Sequence, residues 1–312
     1  MSRIPIIDEA ALRAVVTPSL AVRVIRDAFV ADGEGRAHVP AVINLDVPTA
    51  RGEFHIKTAY IDGVPYIAVK VASGFYDNPA RGLPSGSGLM AVFSADTGLP
   101  AALLFDNGFL TDIRTGAAGA VAADLLGRGS ITTVGVIGSG IQARWQVRCL
   151  HEVRTFSRVL AWSPTAAHLD AYVHEMRSEG FDASAAAGVE DVCRSADVLI
   201  TTTPSRTALV RAAWLRPGMH VTAVGSDTVG KQELDPECLR RANLVVVDRR
   251  SQCAEFGELA FAPDVAVHAQ LGEIAAGRAP GRTSESQITI ADLTGVGFQD
   301  TAIAAAAITA TS

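Results

Sequence analysis

The stretch Gly138-Ser139-Gly140-Ile141-Gln142-Ala143 has the residue types and spacing needed to hold a pyrophosphate against polypeptide backbone. The apolar run ITTVGVI precedes it and the helix-forming QARWQVRCL follows. The pattern is GxGxxA, with Ala143 in place of the third glycine. Gly138 permits the tight turn, Gly140 lets the pyrophosphate approach, and small Ala143 allows the helix to pack close to the strand. Unpaired N–H groups at the helix N-terminus then meet the phosphates. The expected ligand is NAD or NADP, held by Gly138, Ser139, Gly140, Ile141 and Gln142. The next strand, VLAWS, ends in Ser163-Pro164-Thr165 and carries no acid for the adenosine ribose. A hydroxyl-bearing turn takes a 2′-phosphate, so Ser163 and Thr165, with Arg144 nearby, lean the expectation toward NADP. The plain alternative makes Arg144 a solvated helix residue. Thr202, Thr203 and Pro204 follow another strand end, where cofactor-lining hydroxyls gather, although a simple turn also explains them.

Three further groups are not explained by packing: Lys70 ahead of GFYDNP and GLPS, Arg114 within LTDIRTG, and Gly225-Ser226-Asp227 with Lys231. Lys70 sits in an apolar strand, where an unpaired inward ammonium is costly. Arg114 has a structural alternative as partner of Asp112 or as a helix cap. Asp227 follows a buried strand at its carboxyl end, where such sheets bind ligands, and turn capping is the alternative.

Two kinds of pattern position these residues. Residues 8–33 carry apolar side chains at helical spacing, broken at Thr17-Pro18. From 39 to 106 the strand-like segments AVINLDV, EFHIKTAYI, YIAVKVAS, LMAVFSA and AALLFD alternate with turn residues, as in a mostly antiparallel sheet. Residues 110–127 are Ala-rich and helical, with Thr111 the expected N-cap and Gly127 the stop. After Ser130, the strands ITTVGVIG, VLAWS, DVLITTTP, HVTAVGS and NLVVVD alternate with helical segments at 141–154, 164–179, 188–195 and 232–242. This alternation implies a parallel doubly wound sheet. The tail begins helical at 272, passes through the turn-rich DLTGVGFQD and ends in the Ala-rich DTAIAAAAITA. The expected fold class is α/β, a Rossmann doubly wound domain over 129–292. A discontinuous α+β substrate-binding and dimerisation domain takes 1–128 and 293–312.

Composition narrows the partners. The chain has 312 residues, 48% hydrophobic and 19% charged, enough for about two well-packed domains. A net charge of −6 offers no positive field for nucleic acid. Four scattered cysteines form no CxxC pair and no zinc spacing, so reduced thiols and no metal are expected. The first residues, MSRIPIIDEAALRAVV, lack the apolar core of a signal peptide, and no apolar run is long enough for a membrane span. A cytoplasmic protein is the expectation.

With these motifs in order, the sequence resembles the ornithine cyclodeaminase/μ-crystallin family. The resemblance runs through the K…NP…GLPS segment, DTG…LT..RT, GSGIQA, TTTP and VGSD…KQEL, and so through nearly the whole chain. FYDNPARGLPS, VTAVGSD and DRRSQCAEFGEL look closest to the ectoine-utilisation branch. The resemblance implies hydride transfer at the α-carbon of a small amino or imino acid, with Lys70 and Arg114 clamping its carboxylate or polarising it. Asp227 takes the proton-transfer role, Ser85 lines the substrate pocket, and Lys231 and Ser226 sit beside the cofactor. It also implies a homodimer. One departure stands out. The family often carries an arginine on the strand occupied here by Ala41-Val42-Ile43-Asn44-Leu45. Asn44 stands near that place, and Lys57 and His55 on the following strand either compensate or accept a different side chain. This weakens ornithine as substrate. The expectation is therefore an NAD(P)H-dependent imino-acid reductase. A cyclodeaminase that borrows and returns hydride is the alternative, and a nucleotide-binding protein without turnover a lesser one.

Overall fold

The computed structural model describes residues 4–311. The chain divides into two compact units, Met1–Arg114 with Val296–Ser312, and Thr115–Gly295. The division falls inside the helix Phe109–Leu126 rather than at the sequence boundary drawn at 128/129. An uninterrupted helix hides a change of unit, because its periodicity does not change with what it packs against.

The first unit is built on a seven-stranded mixed sheet. Ile6–Asp8 pairs parallel with Pro100–Phe105; then Gly86–Ser94, Tyr66–Phe75 and Gly52–Ile61 follow antiparallel, with Ile43–Val47 and Ala37–His38 both on Gly52–Ile61. The break at Thr17-Pro18 separates helices Glu9–Val15 and Pro18–Gly33. Thr17 Oγ1 caps the second by accepting from Leu20 N at 3.2 Å, and Pro18 sits where no N–H is needed. The helix Gly297–Thr311 lies against both Pro18–Gly33 and the sheet, and Phe298 meets Phe29 edge-on at 5.3 Å. Gly297 is required there, since a Cβ would lie 2.2 Å from the Thr58 carbonyl oxygen. Thr301 completes the seat by donating to Ala59 O at 2.8 Å and accepting from Ala68 N at 3.2 Å. The long helix Phe109–Leu126 is capped by Asp106, whose carboxylate accepts from Leu110 N at 2.8 Å. Thr111, expected as the cap, lies inside it. The chain reaches the helix through Asn107 and Gly108, both at positive φ, so the true cap precedes that turn.

The second unit is a parallel eight-stranded sheet. Its order is Ala183–Ala185, Arg158–Trp162, Thr133–Ile137, Val198–Thr201, His220–Ala223, Thr289–Asp292, Leu244–Val247 and Ala269–Gln270. This is the doubly wound arrangement expected, and the strand order reverses between Thr133–Ile137 and Val198–Thr201, where such sheets open a crevice. Continuous apolar sequence makes the central strands Thr133–Ile137, Val198–Thr201 and Leu244–Val247, which are buried at every position. The segment 232–242, expected as one helix, is a strand Gln232–Leu234 followed by a helix Pro236–Arg241. Asp235 caps that helix by accepting from Glu237 N at 2.9 Å, and Pro236 cannot continue a helix from before it. Part of the stretch assigned to turns, DLTGVGFQD, belongs to the central strand Thr289–Asp292 and to the start of Gly297–Thr311.

Candidate active site

In the second unit, Thr133–Ile137 ends at Gly138, whose φ of +119° only glycine adopts comfortably. A Cβ there would meet Thr202 Oγ1 at 2.5 Å. Gly140 differs: its backbone is ordinary and a Cβ would find no atom within 4 Å. The space above Gly140 is therefore open, as a loop that admits a pyrophosphate requires. Helix Ile141–His151 starts directly after it, and Gly140 at its N-cap supplies no side-chain cap. Ala143 is fully buried in the core beneath the helix, the close approach its small side chain permits. A cavity of about 410 Å³ opens over this loop, lined by Gly138, Ser139 and Gly140, by Ser163, Thr165 and His168, and by Thr202, Thr203 and Pro204. The two strand ends and the glycine loop thus meet in one cleft.

The hydroxyls divide between cleft and scaffold. Ser139 Oγ donates to Ser163 Oγ at 2.9 Å, so the loop and the second strand end are joined. Thr165 is exposed at a helix N-terminus and makes no side-chain cap bond. Gln142 is half-buried, and Ile141 is exposed. Thr203 lines the cleft but its hydroxyl donates to Glu233 at 2.7 Å. Ser226, expected beside the cofactor, is buried and spends its hydroxyl on the carbonyls of Lys231 (2.6 Å) and Phe256 (3.3 Å), so it braces its turn. Arg144 is tied to Glu175 at 2.7 Å and to the carbonyl oxygens of Ser139 and Gly140 at 2.6 and 2.9 Å. It stiffens the loop with its charge already matched, which removes the cation that was to favour a 2′-phosphate. Asp227 stands past the end of His220–Ala223, its side chain 46% exposed, and accepts from the buried Lys231 Nζ at 2.7 Å.

In the first unit the structure brings Lys70 and Arg114 together through a residue the sequence reading missed. Asp300, fully buried, lies 3.3 Å from Lys70 Nζ and accepts from Arg114 Nε at 2.9 Å. Arg114 Nη1 also donates to Gln299 Oε1 at 3.1 Å, so Arg114 neither caps its helix nor needs Asp112. Lys57 is Lys70's direct partner in the antiparallel register and is likewise buried, which places a third cation beside the pair. Burial, opposed by Asp300 and reinforced by Arg114 and Lys57, pulls the Lys70 ammonium down to about 7. The same cations hold the Asp300 carboxyl below its ordinary value despite burial. Asn44 is exposed, and its amide oxygen lies 2.8 Å from His55 Nδ1. Ser85 is exposed beside the strand Gly86–Ser94, and its carbonyl accepts from Phe75 N at 2.7 Å. The signal that could have found Asp300 was the one that found Lys70, a formal charge inside an apolar element, here the Ala-rich helix.

Among the described residues no group of three or more His, Cys, Asp or Glu side chains is placed to hold a metal ion, and no helix is long and apolar enough to cross a membrane.

A glycine-loop cleft at the switch point of a doubly wound sheet, with a buried lysine–aspartate–arginine cluster in a separate sheet unit, defines a two-domain nucleotide-binding protein. Residues 10–309 match the ornithine cyclodeaminase/mu-crystallin family, and the chain belongs to it. It is 44% identical to an uncharacterized cyclodeaminase of Sinorhizobium fredii, over 97% of this chain and 95% of that one. Among solved structures, an archaeal alanine dehydrogenase dimer with bound NAD superposes with a TM-score of 0.91 at 34% identity, covering 98% of this chain and 95% of that one. The Thermococcus litoralis Δ1-pyrroline-2-carboxylate reductase in complex with NADH and L-proline gives 0.94 at 28% identity, covering 98% and 97%.

Proposed function

We propose that the chain is a nicotinamide-dependent reductase of a small 2-imino acid, equivalently an amino-acid dehydrogenase acting at the α-carbon. The observation that carries this reading is the Lys70–Asp300–Arg114 cluster, two cations around one carboxylate with all three side chains buried. Its unbalanced positive charge suits a substrate carboxylate, and a preorganised pair of cations there costs no reorganisation during reaction. Lys70 and Arg114 hold the carboxylate end, with Lys57 beside them and Asn44 and Ser85 toward the substrate side chain. Asp227, steadied by Lys231, exchanges a proton at the substrate nitrogen. The dinucleotide, when bound, supplies or takes the hydride; a hydride and a proton added across C=N give the amine. The names of the archaeal and Thermococcus relatives describe this chemistry on 2-imino or 2-amino acids and support the reading.

The cofactor proposed is NAD, with NADP tolerated. No acid stands at Ser163 to repel a 2′-phosphate, but Arg144 is matched to Glu175 and gives the NADP lean no support. The relatives solved with NAD and NADH agree. A homodimer is proposed on the example of the archaeal enzyme. Membership of the ectoine-utilisation branch rests on the stretches quoted above. The second reading, a cyclodeaminase, has the Sinorhizobium relative's name in its favour. Against it stands Asn44 where the family's arginine is expected.

The test is a panel of 2-oxo acids with ammonia or methylamine, followed separately with NADH and NADPH. Stoichiometric cofactor consumption with one or more pairs is the expected result. Ammonia release from a diamino acid on catalytic NAD⁺, with no net redox, would replace the reductase by a cyclodeaminase.

A further inference from the structure

Glu233 is a buried acid in the nucleotide unit to which the chemistry above gives no task. It occupies the middle of the short strand Gln232–Leu234, which pairs parallel with Arg206–Val210 outside the eight-stranded sheet. Its side chain is fully buried, and four donors converge on its two oxygens. Thr201 Oγ1 at 2.7 Å and Gly225 N at 2.8 Å reach one; Thr203 N at 2.5 Å and Thr203 Oγ1 at 2.7 Å reach the other.

These donors belong to two different loops. Thr201 and Thr203 lie at the carboxyl end of Val198–Thr201, where Thr202, Thr203 and Pro204 form one wall of the cleft. Gly225 opens the turn that leads to Asp227, past the end of the neighbouring strand His220–Ala223. The loops touch through backbone: a Cβ on Gly225 would lie 2.2 Å from the Thr203 carbonyl oxygen and 2.5 Å from the Glu233 carboxyl group. Glu233 is itself anchored from behind, because the Glu258 carboxylate accepts from Glu233 N at 2.7 Å and from Leu234 N at 3.0 Å. A buried carboxyl group with no cation bonded to it is an expensive way to fill space, and an apolar side chain would do so at lower cost. What a carboxyl group offers here is acceptors in number, and once ionised above about pH 7 its two oxygens have lone pairs for donors from both loops at once.

We propose that Glu233 is a positioning residue that ties the Thr201–Pro204 wall of the cleft to the Gly225–Asp227 turn, and so sets where the Asp227 carboxylate stands relative to bound dinucleotide. The assignment rests on the role given to Asp227 above. Glu233→Gln keeps the volume but turns an NH₂ toward donors, so one loop must let go.

The experiment compares wild type, Glu233→Gln, Asp227→Asn and the double variant as full-length proteins. Hydrogen exchange should quicken in 201–205 and 224–231 and stay unchanged elsewhere in the sheet. Dinucleotide affinity should weaken by about tenfold and kcat fall by about 100-fold, the cost of roughly an ångström of misplacement, while KM for the imino acid changes little. In the Asp227→Asn background the same substitution should lower kcat by less than about threefold, since the two act as a unit. Losses that multiply independently, or loops that exchange as in wild type, overturn the proposal. If Glu233→Gln does not fold, Thr203→Val removes one donor, leaves the acid in place, and should loosen both loops. Exchange and dinucleotide titration need no substrate. Loosened loops in a chain that turns over no imino acid therefore uphold the tether and sink the reductase reading instead.

Discussion

Replacing Asp300 by asparagine removes the anion between Lys70 and Arg114 while keeping its size and its acceptor toward Arg114. At the observed 3.3 Å, a unit charge pair in an effective dielectric near 20 interacts by about 5 kcal/mol. That bare term corresponds to roughly 3–4 pH units and is an upper bound. Opposite charges at such distances ordinarily move a pKa by about 1–3 units. In the wild type Lys70 titrates near 7, with Asp300 as the main influence opposing burial. Without Asp300 it should titrate about 1–3 units lower. If a protonated Lys70 binds the substrate carboxylate, kcat/KM falls as pH rises through the free-enzyme value. At pH 7.5 the protonated fraction then drops by about 10- to 1000-fold in Asp300→Asn, and kcat/KM with it. Two cations left without their counter-charge also destabilise the unit by about 3–5 kcal/mol, so the assay temperature is kept well below the variant's Tm. The measurement is kcat/KM from pH 5 to 9 on an imino acid that the panel identifies. Lys70→Arg serves as a control that stays charged throughout. The expected signature is a limb displaced to lower pH by about 1–3 units, so that the loss relative to wild type shrinks steadily as pH falls toward 5. A uniform loss at every pH, with the limb unmoved, would show that Asp300 only holds the fold together and that Lys70's charge does not gate binding.

Gly140→Val should abolish dinucleotide binding in a folded protein, measured by fluorescence titration, because its Cβ enters the open space over the loop; unchanged affinity would refute the cleft. Wild type should use NADH and NADPH within about tenfold of one another, and Ser163→Asp should shift preference toward NAD by repelling the 2′-phosphate. An unaltered Kd ratio would place the ribose elsewhere. Asp227→Asn should lower kcat by roughly 10²–10⁴-fold with cofactor affinity nearly constant, and a near-wild-type rate would remove it from the mechanism.

Legibility in the sequence followed a physical line. The parallel sheet was readable because strands buried on both faces are continuous apolar runs, and the glycine loop because steric demands at Gly138 admit one residue type. The strands Ala183–Ala185, Arg206–Val210, Gln232–Leu234, Ala269–Gln270 and Thr289–Asp292 were not. All five are at most five residues long, Arg206–Val210 and Gln232–Leu234 lie outside the main sheet, and Thr289–Asp292 borders a Gly-rich stretch that looks like a turn. Lys70 stood out as a charge in an alternating apolar strand, but its partner is 230 positions away in the chain and joins it only through tertiary packing. The sequence singles out Lys57 only as compensating for the missing arginine or accepting a different side chain; the register that sets it opposite Lys70 places it, buried, beside the cluster. Glu233 was hidden for a related reason, since a helix assigned across 232–242 put it on a helical face rather than between two loops.

The two units also place opposite demands on the protonation of the fold, and this ties stability to the proposed chemistry. In the nucleotide unit, burial pushes the Glu233 and Asp292 carboxyls up to about 7. Each holds a proton in the folded state that the unfolded chain has already released above pH 4.5 or 3.8, so their contribution to stability falls as pH rises toward about 7. In the other unit, folded Lys70 has lost a proton between about 7 and 10.5 that the unfolded chain still binds, so its contribution rises with pH across that window. Each slope reaches at most about 1.4 kcal/mol per pH unit. Both contributions are thus least favourable near neutrality, where a lysine and a cleft poised for reaction are wanted, and a bound carboxylate relieves the lysine's share by favouring its charged form. Thermal unfolding followed from pH 5 to 9 should show the acid-side slope flattened in Glu233→Gln and the basic-side slope flattened in Lys70→Met. If Lys70→Met leaves the basic-side slope intact, the ammonium is not depressed in the folded state, and the electrostatic basis for the carboxylate clamp fails with it.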